Sequence, residues 1–330
     1  MYSIHNEHFT SVEQVFFIFL ITLLIIYLDL TKNNYSDNLS FKLTMIFSLF
    51  SLFVSNNLNS EYFYFACYGL ILTFGIIHGA NDILLLLKGK EQTNKIIISS
   101  TLKYLLIVIL ISVLFFLFSE ISLLFFILFS AYHFGEQQWT IFGSNKSKSI
   151  SFFYFFYGLL IFSILFIFNT SYVSDIIYEI TKIYLEKNIY NLALIFSVLA
   201  TLTLLFLNFK VLKKQLFHQL ALLVVMLLVF FTYDLLPAFA IYFVFFHSIP
   251  SILEQSEYLF GNADGKENFK KFLLKGALYW TLAMVFLLTM YLVLKNSIDF
   301  SLAIFFSFLA AITFPHVLVI YKMKSEIHTK

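Results

Sequence analysis

Four histidines lie within long apolar stretches of the sequence, where an imidazole is an uncommon and costly side chain. They are His78, His133, His247 and His316. Neutral imidazole is the commonest metal ligand in proteins, and it carries no charge that must be removed from water. Ionisable groups in such stretches often mark functional sites. These four histidines are therefore our candidate metal ligands and, through the bound ion, our candidate catalytic residues.

The first of these histidines has a carboxylate four residues further on. His78 and Asp82 would share one face of a continuous helix, because residues four apart are neighbours on a helix surface. Gly75 and Gly79 flank the histidine and would let a neighbouring helix or a bound molecule approach the backbone. The alternative interpretation is a polar pair that joins two membrane helices by hydrogen bonds.

Carboxylates also follow two of the other histidines. Glu136 lies three residues after His133, and Glu254 lies seven residues after His247. Carboxylates beside a ligating histidine fix the tautomer and orientation of its imidazole. We therefore predict this supporting role for Asp82, Glu136 and Glu254, with the joining of helices as the alternative.

The elements that carry these residues must be membrane helices. The chain has 330 residues, of which 60% are hydrophobic and 12% charged, and its mean hydropathy is +0.88. This composition lies far outside the range of soluble domains. The net charge of +2 does not indicate nucleic-acid binding, and the single cysteine, Cys67, excludes a disulfide within the chain. We predict one all-α integral-membrane domain over residues 1–330.

The apolar runs predict a polytopic bundle of about 10–11 transmembrane helices. A mixed segment near residues 172–190 has the spacing of an interfacial amphipathic helix. The first run has no cleavage site after it, so we expect a retained helix. The predicted spans are 15–30, 41–55, 62–87, 103–118, 121–139, 150–168, 191–209, 216–236, 237–255, 272–294 and 300–323.

Most of the lysines follow odd-numbered predicted spans. Positive charge accumulates on cytoplasmic loops, so this distribution predicts an outside N-terminus and a cytoplasmic C-terminus. The membrane that we expect is the cell's inner (plasma) membrane. The four candidate histidines then lie on the third, fifth, ninth and eleventh spans, which would run in parallel. Parallel helices that carry histidines at similar depth can bring the imidazoles together in the core of a bundle.

The donor set narrows the choice of metal. Imidazoles without a thiolate suit iron, copper or zinc. Four histidines on an octahedral ferrous ion leave two positions open, whereas four close a zinc site, so we favour Fe(2+). Two haems, each held by two histidines, remain an alternative. His5, His8 and His328 lie in polar terminal surroundings, and His218 is a reserve ligand.

The motifs around the histidines resemble those of the Brp/Blh β-carotene 15,15'-dioxygenases, a family of membrane-embedded bacterial enzymes. The resemblance rests on His-Gly-Ala with a following Asp at residues 78–82, Tyr-His-Phe-Gly at 132–135, His-Ser-Ile-Pro-Ser at 247–251 and Pro-His at 315–316. Many relatives carry a second histidine four residues after the third one, where this chain has Ser251. That departure leaves the complete ligand set open.

The resemblance implies an iron-dependent oxidoreductase. It would use O2 to cleave β-carotene from the bilayer at its central double bond, giving two molecules of all-trans-retinal for a consumer such as a rhodopsin. Two other functions use the same residues. One is a transporter or proton relay built on the intramembrane His, Asp and Glu side chains, and the other is a haem-bearing electron-transfer protein.

Overall fold

The computed structural model describes residues 39–55, 60–91, 93–141, 147–261, 265–294 and 302–327. Within these ranges the chain forms helices and no strand, which confirms the all-α prediction. The predicted first span, 15–30, lies outside the described residues. The α-helices are α1 (Leu39–Ser55), α2 (Ser60–Leu70), α3 (Asp82–Leu87), α4 (Asn94–Leu117), α5 (Ser119–Thr140), α6 (Lys148–Phe168), α7 (Thr170–Thr181), α8 (Lys187–Leu207), α9 (Phe209–Thr232), α10 (Leu235–Ile241), α11 (Ile249–Phe260), α12 (Gly265–Leu294) and α13 (Leu302–Ile327).

Seven helical stretches in the described part of the chain are long and apolar enough to cross a membrane, which indicates a multi-pass membrane protein. They are 94–117, 148–168, 187–207, 209–232, 235–260, 265–289 and 303–326. Three of the spans that we predicted within the described residues, 41–55, 62–87 and 121–139, are not among them, for physical reasons. Helix α1 is apolar but short, the predicted span 62–87 is interrupted, and the second half of α5 is rich in polar side chains.

Burial separates a central helix from peripheral ones. In the span 235–260, 94% of the residues in its apolar stretch are buried inside the bundle. The corresponding fraction is 11% in each of the spans 94–117 and 265–289. Apolar side chains are stable on a membrane helix that faces lipid, so the peripheral helices need no partner on their outer side. The central span carries His247, and the bundle is therefore built around one of the candidate ligands.

Two segments of π-helix interrupt the histidine-bearing spans. Ile71–Gly75 continues α2 and lies just before His78, and Tyr242–Ser248 joins α10 to α11 and contains His247. Short π-helical segments are rare and occur frequently at functional sites. After the first segment the chain turns at residues 78–81, and α3 starts at Asp82. The continuous helix that we expected over 62–87 is therefore broken beside the histidine.

Helices α5 and α6 pack closely because two glycines lie at their contact. A Cβ atom on Gly158 would lie 1.7 Å from the carbonyl oxygen of Ala131, and one on Gly135 would lie 1.9 Å from that of Tyr154. Such an approach of two backbones is possible only where side chains are absent. His133 lies between Ala131 and Gly135, so this contact fixes the position of its backbone.

The stretches that carry the four histidines run in the same direction. The side chain of Lys88, just after α3, contacts the carbonyl of Tyr258 near the end of α11. Tyr258 Oη donates to Glu326 Oε2 at 2.6 Å, and Lys324 Nζ donates to Thr140 Oγ1 at 2.9 Å. The C-terminal ends of α3, α5, α11 and α13 thus meet on one side of the bundle. This confirms the predicted parallel arrangement, while its orientation in the membrane stays a prediction.

Helix α7 lies within the mixed segment that we expected to be amphipathic. It ends at Thr181, where Lys182 adopts a left-handed conformation with φ 61°. Its apolar side chains Val173 and Ile177 are buried, and Tyr172 and Tyr178 on other faces are exposed. The apolar face of α7 therefore packs against the bundle, and it covers part of the region between α5 and α13.

Candidate metal centre

The side chains of the four predicted histidines lie in one buried cluster. The ring centroids of His78 and His316 are 4.6 Å apart, and those of His78 and His247 are 5.0 Å apart. The ring of His133 lies 4.7 Å from that of His247 and 5.3 Å from that of His316. None of the four side chains is more than 6% exposed. Four imidazoles from separate stretches of the chain thus converge in the core.

Three of these histidines form a set of ligand atoms that could hold a metal ion. One ring nitrogen from each of His78, His247 and His316 lies within 4.8 Å of the other two. His133 is outside this set, although its ring adjoins two members of it. A bound ion would need His133 to turn towards the other three if it is to act as a fourth ligand.

Several ring nitrogens of the cluster are in a state suited to binding a metal ion. Both ring nitrogens of His247, together with Nε2 of His133 and Nε2 of His316, are buried without a hydrogen-bond partner in the described part of the chain. A buried polar atom without a partner is costly, so such atoms in a native core call for an explanation. Coordination to a metal ion would satisfy them, and neutral imidazoles without a thiolate suit iron, copper or zinc.

His78 is oriented by the backbone. Its Nδ1 donates a hydrogen bond to the carbonyl oxygen of Gly75, the last residue of the first π-helical segment. This bond fixes the tautomer, because the proton on Nδ1 leaves Nε2 as the nitrogen that can bind a metal. The interrupted helix therefore has a local consequence, which is to supply a partner for the imidazole.

His316 is oriented by a carboxylate, and here our expectation for Asp82 was wrong in its partner. Asp82 does not share a helical face with His78, because the helix is broken between them. Its Oδ1 instead accepts a hydrogen bond of 2.8 Å from His316 Nδ1 on α13. Tyr104 on α4 donates to Asp82 Oδ2 at 2.6 Å. This Tyr–Asp–His chain links three elements and leaves Nε2 of His316 for a ligand.

Sequence reasoning missed Tyr104. The only signal was a hydroxyl within the apolar run of α4, and the sequence has 20 tyrosines. Its partner Asp82 also lies 22 positions away along the sequence.

The other two predicted carboxylates join helices. Glu136 accepts a hydrogen bond of 3.0 Å from Tyr132 Oη, and its Oε2 lies 3.6 Å from Lys324 Nζ on α13. Glu254 on α11 accepts from Gln137 Nε2 on α5 at 3.1 Å. These contacts favour the second of the two roles that we considered for them.

His218 and Ser251 lie apart from this chemistry. The ring of His218 packs edge to face against Phe41, with 5.3 Å between centroids. The hydroxyl of Ser251 accepts a hydrogen bond of 2.8 Å from Gln255 Nε2 on the same helix. His5, His8 and His328 lie outside the described residues.

Two of the histidines reach an apolar cavity. It encloses about 1090 Å³, its open mouth included, and His78, His316 and Asp82 lie in its wall. The remaining lining is mainly apolar and comes from α4, α12 and α13, from the segment around His78 and from Phe243. Leu105 and Leu282 line the cavity and are also exposed on the outer surface, so the mouth opens sideways between α4 and α12. A lateral mouth admits molecules dissolved in the bilayer.

Fold and site together define a multi-pass helical membrane protein with a buried all-histidine centre that could bind a metal, next to an apolar cavity. The clustered rings lie edge to face, with 4.6–5.3 Å between their centroids. A family model described as beta-carotene 15,15'-dioxygenase matches residues 69–324, a range that contains the whole cluster. The chain belongs to this family, which confirms the resemblance drawn from the motifs. Comparisons with curated proteins and with solved structures give no match.

Proposed function

We propose that this protein cleaves β-carotene at its central double bond and that His78, His133, His247 and His316 hold the ferrous ion required for the reaction. The observation that carries the proposal is the convergence of four buried imidazoles, several of their nitrogens unsatisfied, beside a lateral apolar cavity. β-Carotene is the substrate that the family description names.

The overall reaction balances without a further reductant. One carbon–carbon double bond and the O–O bond of one O2 molecule are broken, and two carbon–oxygen double bonds form. The two carbons are oxidised to aldehydes while O2 is reduced, so each retinal molecule carries one of the two oxygen atoms. A ferrous ion, when bound, supplies the binding and activation of dioxygen, which protein side chains cannot provide.

The protein's own residues orient the ligands and exclude water. The carbonyl of Gly75 and the carboxylate of Asp82 hold the rings of His78 and His316 with Nε2 free for the ion. Asp82 also brings a negative charge that offsets part of the charge of a ferrous ion in a core of low polarity. The apolar surroundings keep water away from reactive species.

The substrate reaches the site through the membrane. β-Carotene is a hydrocarbon that dissolves in the bilayer, and the mouth between α4 and α12 offers it a route that avoids water. We place the protein in the plasma membrane, and the lysine distribution supports an orientation with the C-terminus in the cytoplasm. Retinal is also apolar and can leave by the same route, either into lipid or to a retinal-binding protein such as a rhodopsin.

Expression in a β-carotene-producing bacterium tests this proposal. We expect loss of the orange pigment and formation of retinal, measured by chromatography of extracted pigments. Alanine at any of the four clustered histidines should abolish the conversion, whereas His218→Ala, outside the cluster, should retain most of it. Unchanged carotenoid in cells that contain folded, iron-loaded protein would refute the proposal, and a Soret band in the purified protein would favour the haem alternative.

A further inference from the structure

A second apolar cavity lies on the other side of α13 from the first. Its volume is about 750 Å³ with its open mouth included. It is lined by apolar side chains of α5, α6, α7, α10 and α13 and by Phe243 of the second π-helical segment, apart from the hydroxyl of Thr313. We call it the distal cavity, and we call the cavity that His78 and His316 line the proximal cavity.

The two cavities share a wall beside the histidine cluster. Phe243, Leu309 and Thr313 line both of them. The ring of Phe243 lies 5.5 Å from the ring of His78 and 5.7 Å from that of His247, measured between centroids. A side chain that belongs to both cavities and touches two candidate ligands marks the point at which the cavities come closest to each other.

The distal cavity also reaches the cluster on its own side. Phe134 lines it, and the ring of Phe134 lies 4.3 Å from that of His247. Phe239, another lining residue, stacks on Phe243 at 5.1 Å. The cluster therefore lies between two apolar spaces, with the proximal cavity bounded by α4 and α12 and the distal cavity bounded by α5, α6 and α7.

We propose that the proximal and distal cavities are the two arms of one substrate tunnel, and that each arm holds one half of a long symmetric polyene while Phe243 turns aside at the junction. This inference rests on the proposed function. A reaction at the central bond needs comparable space on both sides of the ion, and one cavity beside the cluster provides it on one side only. The residues of α7 that line the distal arm would then stop the end ring and select the bond.

Ile177 is the residue of α7 best suited to a test. It lines the distal arm and is buried, at 9% exposure. Ile177→Trp fills the arm, and Ile177→Ala lengthens it. Tyr178→Trp is the matched control, because Tyr178 is the next residue on the same helix but is 49% exposed and does not line the arm.

Cleavage of two substrates and one carotenoid-binding assay test whether the distal arm holds part of the substrate. For Ile177→Trp we expect kcat/KM for β-carotene to fall at least about tenfold relative to the Tyr178→Trp control, because one extra group in an apolar pocket discriminates by about that factor or more. An apocarotenal that keeps one ring and lacks the far end of the chain should still be cleaved, within about twofold of the control. After a chelator has removed the metal and so prevented cleavage, Ile177→Trp protein should also retain less β-carotene than the Tyr178→Trp control does. The retained carotenoid is measured by its visible absorbance.

Several results would overturn the tunnel. If Ile177→Trp cleaves and retains β-carotene as the control does, the distal cavity holds no part of the substrate. If Ile177→Trp fails to fold, Ile177→Ala provides the test. A longer distal arm should shift the cleaved bond and yield two aldehydes of unequal length, and an unchanged product would contradict the proposal. Failure of the proposed function looks different, because the unsubstituted protein would then form no retinal, while carotenoid retention by the chelator-treated protein would still report on the two arms.

Discussion

Replacing Asp82 by asparagine tests how this protein supports its candidate metal ligands. The carboxylate is 1% exposed, accepts a hydrogen bond of 2.8 Å from His316 Nδ1 and accepts another of 2.6 Å from Tyr104. Asp82→Asn keeps the size of the side chain and can keep both hydrogen bonds, since the amide oxygen can face the imidazole while the amide nitrogen faces the hydroxyl. The change therefore removes the charge and little else.

The expected loss follows from the role of such carboxylates. Residues that support a ligating histidine typically change metal affinity by about 10- to 100-fold when they are substituted, which corresponds to about 1.4–2.7 kcal/mol. We expect a loss in this range for Asp82→Asn, measured by competition for iron against a chelator of known affinity. The matched control is Glu254→Gln, which removes a charge from a carboxylate that joins α5 and α11. Equal iron affinity in Asp82→Asn and the unsubstituted protein would refute our account of His316.

Three further substitutions test the packing and the polar contacts around the site. Gly158→Ala should lower the melting temperature by an amount equivalent to about 1–3 kcal/mol or more, because its Cβ would meet backbone 1.7 Å away. Gly69→Ala, a helical position with nothing within 4 Å, should leave the melting temperature unchanged or raise it slightly. A melting temperature of Gly158→Ala that is no lower than that of Gly69→Ala would contradict the close contact of α5 and α6. Tyr104→Phe should weaken iron binding in the chelator assay, but by less than the loss of the carboxylate charge does. An effect as large as that of Asp82→Asn would assign a more direct role to Tyr104. Lys324→Met should destabilise the protein to thermal unfolding by about 3 kcal/mol, because it leaves the carboxylate of Glu136 without its nearby cation, and an unchanged transition would show that this ion pair contributes little.

The sequence was sufficient to predict that the four histidines cluster, because depth in a membrane helix is a strong constraint. A histidine in a membrane helix is stable mainly where its side chain faces the interior of the bundle. The lysine-rich loops indicate the relative direction of the runs that carry His78, His133, His247 and His316. When these runs are parallel and their histidines lie at similar depth, the imidazoles are expected to meet in the core of the bundle. For the same reason the all-α bundle followed from composition alone.

The local geometry around His78 could not be predicted. We treated 62–87 as one continuous helix, so Asp82 was expected to share a face with His78. Whether a π-helical segment forms depends on its packing against distant parts of the chain, and the sequence has no simple pattern for it. In this protein the segments Ile71–Gly75 and Tyr242–Ser248 pack against each other. Once the helix breaks, Asp82 turns towards α13 instead.

One run that we predicted as a span, 121–139, is not among the seven long apolar stretches of the described residues, because apolar composition alone does not report which residues pack inside the bundle. Its first half is apolar, and its second half contributes His133 and the two amides of Gln137 and Gln138 to the interior of the bundle. The two cavities were beyond prediction for a related reason, since they depend on which faces of α4, α7 and α12 remain uncovered. That residues 1–330 form a single membrane domain stays a prediction.

The central claim is that four imidazoles hold one redox-active iron, and iron content measured on purified protein tests it most directly. Protein purified without oxygen and reconstituted with ferrous iron should contain roughly one iron per chain, as expected for a single site. Alanine at His78, His133, His247 or His316 should remove most of that iron, while His218→Ala should retain it. Iron that survives substitution of the clustered histidines, or an equal loss in the His218 variant, would contradict the claim.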